Sequence, residues 1–278
     1  MLCQFTVKNF KSIRDEVTFD MQAAAISEHE DRIIIDKDEQ KYLPVSAVYG
    51  PNGGGKSNVL AALHTLVAKV LRPLLATEDS EEKVLLQRKI IVEPFAFSKS
   101  KDEPTEFELF FRTTVSEYRY ILHVKRDIVL YESLDRVKLE TGRKSALFTR
   151  DENGIVLKGA FAKLKVSDEL SKTLTLLSYL GIAYKGNAVV KDVLSWFEYG
   201  IEFLNYGNPI QELKMAVSTS EDVKKLMLQM IQEMDLDIVD FRVEEKENER
   251  INIFTKHCVD DVETEINLFD ESSGTRKL

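Results

Sequence analysis

The run Gly50-Pro51-Asn52-Gly53-Gly54-Gly55-Lys56-Ser57 constrains this chain more than any other stretch. It fits G-x-x-x-x-G-K-[ST], the P-loop pattern, at every position. The flanks agree with it. Pro44-Val45-Ser46-Ala47-Val48-Tyr49 is apolar and β-branched, which predicts a buried parallel strand. Beyond the loop, Leu60, Leu63, Val67, Val70 and Leu71 recur at helical spacing, and Pro73 predicts where that helix stops. Glycines let successive N–H groups converge on one concavity, and the start of a helix adds its dipole. Such a nest suits a di- or triphosphate held by the loop from Gly50 through Gly53, Gly54 and Gly55. Lys56 would reach the β- and γ-phosphates, and the Ser57 hydroxyl would ligate Mg²⁺. A glycine turn that held nothing would leave Lys56 and Ser57 without a structural reason to follow Gly55.

The rest of the composition narrows the setting. At 278 residues there is room for one large domain or two modest ones. A net charge of −9 with no dense Lys/Arg run argues against broad, sequence-independent DNA binding, while leaving room for a local basic groove. Cys3 and Cys258 form no C-x-x-C, so no zinc pattern exists and a cytoplasmic setting is expected. Cys3 falls in a predicted strand and reads as a small buried hydrophobe. His29, His64, His123 and His257 are scattered and read as packing or surface residues. The N-terminus is too short and too alternating for a signal peptide, and no run of about eighteen apolar residues predicts a membrane span.

Read in order, residues 2–8 alternate as a strand, with Cys3, Phe5 and Val7 on one side, and residues 16–20 return beside it. Asn9-Phe10-Lys11-Ser12-Ile13 is the turn between them. Ile33-Ile34-Ile35 predicts a short edge piece, and residues 76–89 a solvated charged loop. From 90 to about 158 the chain predicts an antiparallel meander: 90–92, 105–112, 117–124, 128–134, 146–149 and 155–157, the last two around Asp151-Glu152-Asn153-Gly154. Helices follow. Ser167 would cap one carrying Leu170, Leu174, Leu177 and Leu180 that ends at Gly181. Asn187 would open another with Val190, Val193, Leu194 and Phe197, with Gly200 behind it. A third begins near Ser220 with Val223, Leu226, Met227, Met230, Ile231 and Met234 as its core face. Strands return at 238–243, 250–254 and 263–268. The division expected is an N-terminal lobe over 1–158, a helical insert over 159–236, and strands over 237–278.

Ser272-Ser273-Gly274-Thr275 follows the last strand. A hairpin before the P-loop, an antiparallel lobe after it, a helical insert and then a Ser-Gly motif: this order resembles the ABC-type ATPase heads of the SMC and RecF superfamily. Within it the chain is most similar to the AAA-type ATPases of phage-defence, abortive-infection and OLD-like systems. Asn9-Phe10-Lys11-Ser12 resembles that subgroup's N-F-[KR]-S turn, and the loop with Asn52 and Asn58 resembles its G-x-N-x-x-G-K-S-N. Pro94-Phe95-Ala96-Phe97 and Tyr118-Arg119-Tyr120 are similar as well. The resemblance implies an α/β P-loop NTPase fold with Mg-ATP as cofactor. It implies that Lys11 or Ser12 touches the phosphates, alongside Asn52 and Asn58. It also implies that Ser272, Ser273, Gly274 and Thr275 act in trans on nucleotide held by a second copy of the chain. The apolar Walker B strand ending in Asp-Glu, which follows the signature in that family, is not found before Leu278. The α/β core is therefore expected to be incomplete, and these 278 residues alone are expected to hydrolyse little ATP.

Three functions are carried forward: an ATPase with a composite site between two protomers, in phage defence; an ATP-gated subunit controlling a partner toxin or nuclease; and a RecF-like DNA-repair head. For the base, Arg14, Arg32 and Tyr42 are candidates only.

Overall fold

The computed structural model describes residues 1–25, 30–75, 90–97, 102–167, 170–203, 221–233, 238–246, 250–259 and 262–271. The chain divides into two compact units, Met1–Glu202 and Phe203–Leu278.

The first unit is built on a seven-stranded sheet. Its strands are β1 (Leu2–Lys8), β2 (Val17–Asp20), β5 (Thr105–Arg112), β6 (Ser116–Lys125), β7 (Ile128–Lys138), β8 (Lys144–Asp151) and β9 (Gly154–Leu157), in the order β2-β1-β5-β6-β7-β8-β9. Every pairing in it is antiparallel. The meander read from residues 105–157 is therefore present, strand by strand, with β1 and β2 added at one edge. A two-stranded piece, β3 (Ile34–Ile35) with β4 (Lys41–Tyr42), lies outside this sheet.

One face of the sheet is the core. Alternate residues Phe107, Leu109 and Phe111 on β5, and Tyr118, Tyr120, Leu122 and Val124 on β6, are buried, as are Cys3, Phe5 and Val7 on β1. Burial pushes the Cys3 thiol up to about 11, as befits a packed hydrophobe. Three helices contribute to the same core: α1 (Lys56–Leu75), α2 (Leu176–Ala183) and α3 (Ala188–Tyr199). α1 turns Ala62, Leu63, Leu66, Val67 and Val70 inward, while Leu60, expected on that face, is exposed. By length and composition α1 is the one described helix that could cross a membrane. Here it packs against β1, α2 and α3. Trp196 and Phe197 of α3 close an aromatic cluster with Phe111, whose ring lies 4.5 Å from that of Trp196 and 5.5 Å from that of Phe197.

Three helix boundaries differ from expectation. α1 runs through Pro73 to Leu75. A proline so close to the last turn forfeits a single hydrogen bond, which leaves the helix standing. The second helix starts at Leu176 behind Thr175, whose side chain accepts from the Ser178 amide, and not behind Ser167. Gly181 lies inside that helix and does not end it. A Cβ there would fall 2.6 Å from Leu74 and 2.5 Å from Leu194, so the glycine lets α2 approach α1 and α3. Asn187 caps α3 as expected, accepting from Val189 and Val190.

The larger departure is at Pro44–Tyr49. The expected parallel strand does not form, and Val45, Val48 and Tyr49 are exposed. A strand is held by ladder partners, and among the described residues none pairs with this segment. The 90–92 segment is likewise no strand, although Val92 is buried and its amide donates to the Arg126 carbonyl at 2.7 Å.

The second unit holds α4 (Glu221–Glu233) and an antiparallel sheet of β10 (Ile238–Lys246), β11 (Arg250–Val259) and β12 (Val262–Asn267). The strands match those read from the sequence. The Met/Leu stripe of α4 does not all go inward: Leu226 and Met230 are exposed. Lys224 explains this orientation. Its Nζ bonds Asp240 Oδ1 at 3.1 Å and lies over the Phe241 ring, so the Lys224 side of the helix meets β10.

Candidate functional site

The loop between Gly50 and Ser57 is built by backbone conformation and by a neighbouring turn. Gly53 and Gly55 have φ of +78° and +85°, a region that a Cβ disfavours. The Gly54 amide donates to the Pro51 carbonyl at 3.1 Å, which closes the curl. α1 then starts at Lys56, so the Lys56 and Ser57 amides have no intrahelical carbonyl to reach. No acidic residue occupies the first turn of α1, and its dipole is left to face an anion.

Lys56 curls back over the loop, its Nζ donating to the carbonyls of Gly50 and Pro51, both at 2.8 Å. Ser57 is exposed on the first turn of α1, and Asn52 is exposed at the loop's tip. Asn58 reaches sideways: its Nδ2 donates to Ser12 Oγ at 2.7 Å. Ser12 is also the residue nearest Gly55, since a Cβ on that glycine would lie 2.9 Å from Ser12 Oγ. The turn after β1 therefore stands against the loop's last glycine, and that contact brings together Ser12, Gly55 and Asn58. Lys11, next to it, is exposed and holds its ammonium 5.5 Å from the Phe10 ring centre.

The donor set fits a polyphosphate with a divalent cation. Curled amides, a helix start, one lysine and one hydroxyl sit within a few residues, and Gly55 is a cradle that a side chain would fill. Gly50, Gly53, Gly54, Gly55, Lys56 and Ser57 would hold the phosphates, with Ser57 toward Mg²⁺. Among the described residues no group of three or more His, Cys, Asp or Glu could hold a metal by itself. Ser272, Ser273, Gly274 and Thr275 lie outside the described residues. Of the base candidates, Tyr42 is buried with Arg112 over its ring and offers no face to a nucleobase. Arg14 is exposed and paired with Asp15.

The sequence places Asn9 at the head of the N-F-[KR]-S turn without a role of its own, and the structure makes it the anchor of that turn. Its backbone is left-handed, with φ of +56°, and its side chain is buried. An asparagine directly after a strand and before a tight turn was the available signal.

A glycine loop at a helix start, with Lys-Ser behind it on a mixed α/β frame, fits a P-loop NTPase. Residues 45–278 match the profile of the family described as "AAA domain, putative AbiEii toxin, Type IV TA system", and the chain belongs to that family. Its members' domain is an ATP-binding ATPase domain, related to abortive-infection systems. No curated protein matches the chain.

Proposed function

We propose that this chain binds Mg-ATP in the loop Gly50–Ser57 and supplies these residues to a composite ATPase site between two copies, in a phage-defence setting, with the acid that orients water coming from outside these 278 residues. The observation that carries the reading is the loop itself: positive φ at Gly53 and Gly55, Lys56 at the helix start, and Ser12 packed on Gly55. Bound Mg-ATP supplies the phosphoryl group and a cation that screens its charge. The chain's own residues position and neutralise. Lys56 exchanges the carbonyls of Gly50 and Pro51 for phosphate oxygens. Ser57 would hold the cation through its hydroxyl. Ser12, and Lys11 beside it, close the loop from the hairpin side. The signature residues 272–275 act on the second copy's nucleotide, a role supported by their resemblance to the L-S-G-G-Q type of motif. ATP-driven control of a partner toxin is the second reading, favoured by the toxin–antitoxin wording of the family's description.

Calorimetric titration of the chain with Mg-ATP tests the first step. Lys56→Ala is expected to weaken binding about a hundredfold, as befits the loss of charge-assisted bonds to phosphate. Equal affinity in wild type and variant would reject this loop as the site. Robust turnover by the 278-residue chain, lost in Lys56→Ala, would show that the catalytic acid lies within it after all.

A further inference from the structure

We propose that Asn9 is a positioning residue for nucleotide: its side chain ties the 9–13 turn to Phe95 and to Glu103 and Pro104 just ahead of β5, so that Ser12 stands on the phosphate loop. The inference rests on Mg-ATP occupying Gly50–Ser57 and adds what holds that loop in shape from outside it.

Asn9 uses its whole amide group. Oδ1 accepts from the Phe95 amide at 3.0 Å, and Nδ2 donates to the carbonyls of Glu103 at 3.0 Å and Pro104 at 3.1 Å. Its own carbonyl accepts from Thr105 Oγ1 at 2.6 Å, at the start of β5. Two residues later, the Lys11 amide donates to the Glu93 carbonyl at 2.9 Å. Two segments distant in sequence, 93–95 and 103–105, are thus stitched to the turn. Within the turn, Phe10 and Ile13 exchange both backbone bonds, at 2.8 and 2.7 Å, which leaves Ser12 little freedom of its own. Ser12 then meets Gly55 and Asn58 of the loop.

Asparagine alone satisfies all of these demands. Its backbone tolerates the left-handed region, which β-branched and bulky residues resist. Aspartate would accept from Phe95 but would turn oxygen toward two carbonyls that need a donor. Glycine would suit φ but take from the half-buried Phe95 amide and the Glu103 and Pro104 carbonyls the partners that Asn9 gives them. The bonds of the Asn9 side chain to Phe95, Glu103 and Pro104 lead away from residues 50–57. Its effect travels through Ser12.

The test compares Mg-ATP affinity for wild type, Asn9→Gly, Ser12→Ala and the double variant, at a temperature well below every variant's Tm. Asn9→Gly keeps the left-handed backbone and deletes only the side-chain bonds. It is expected to raise Kd about tenfold. Ser12→Ala should do much the same, and the double variant should be no worse than Asn9→Gly, because both changes act through one contact. A lowered Tm with an unchanged Kd, or fully additive losses, would overturn the proposal and leave the loop's role intact. Wild type that fails to bind, or binds as well with Lys56→Ala, would remove the nucleotide reading and this proposal with it. Should Asn9→Gly not fold, hydrogen exchange on wild type decides. Mg-ATP is expected to slow exchange of the Lys11 and Phe95 amides, and no change at either would overturn the inference.

Discussion

Gly55 is fixed as glycine by two separate constraints. Its φ of +85° would cost a Cβ-bearing residue about 1–2 kcal/mol. An added Cβ would also lie 2.9 Å from Ser12 Oγ, and that hydroxyl could swing aside only by releasing the Asn58 amide. Gly53 differs. Its φ is similar, but nothing stands within 4 Å of a Cβ there, so only the backbone resists substitution. Gly55→Ala is therefore expected to weaken Mg-ATP binding about tenfold or more, and Gly53→Ala by less. Titration of wild type and the two variants checks this ranking. Equal losses at Gly53 and Gly55 would mean that the Ser12 contact contributes nothing. The glycines, Lys56 and Ser57 were legible because a local pattern encodes them. The contact between Ser12 and Gly55 was not, since forty-three positions separate them and no spacing rule reaches that far.

Among the elements, two buried charges hold pieces of the first unit in place. Glu132 on β7 is fully buried and faces the start of α2, accepting from the Leu176 amide at 2.6 Å, the Leu177 amide at 3.0 Å and the Tyr120 hydroxyl at 2.9 Å. Burial pushes its carboxyl up against these donors and Arg150, which pull it down, and the net direction is upward. Arg112 at the end of β5 pairs with Asp36 at 2.9 Å, Asp38 at 2.6 Å and Glu117 at 2.7 Å, and stacks over Tyr42. It ties the 36–42 segment to the sheet. Hydrogen bonding to Arg112 holds Asp38 below the ordinary carboxylate value of 3.8; at Asp36 burial is the largest single influence and pushes up, but Arg112 and the Lys37 amide together hold the carboxyl below that value. A folded value below the unfolded one means stability that is present above pH 3.8 and lost as pH falls through the depressed value. Arg112→Met is expected to cost about 3 kcal/mol near neutral pH, with the gap to wild type narrowing below pH 3.8. Urea unfolding from pH 7 down to pH 3 measures that gap, and a gap independent of pH would count against the carboxylates as its source. The strands of the meander were readable because alternation is a local signal, and so was the Asn187 cap. Glu132 and Arg112 looked like ordinary strand charges, since their partners come from other elements. The segment 44–49 misled for a related reason. Its apolar, β-branched residues satisfy a strand's composition, but a strand also needs neighbours, which composition does not report.

At the scale of the whole molecule, the family profile spans residues from both compact units, while the phosphate loop and its supporting turn belong to the first alone. If the composite-site reading holds, Mg-ATP should drive two chains together. Each carries a net charge of −9, so association at low salt works against mutual repulsion. Moderate salt screens that repulsion over about 8–10 Å and should strengthen an ATP-dependent dimer. DNA binding has the opposite dependence, because salt weakens contacts to phosphates. Light scattering coupled to gel filtration is expected to show the mass doubling on Mg-ATP addition, more completely at 200 than at 50 mM salt. Lys56→Ala should abolish the doubling by losing nucleotide, and Ser273→Arg by crowding the motif expected to face it. An unchanged mass at saturating Mg-ATP would sink the composite site. A doubling that survives Ser273→Arg would place the dimer contact on another surface and leave the motif without the role its resemblance implies.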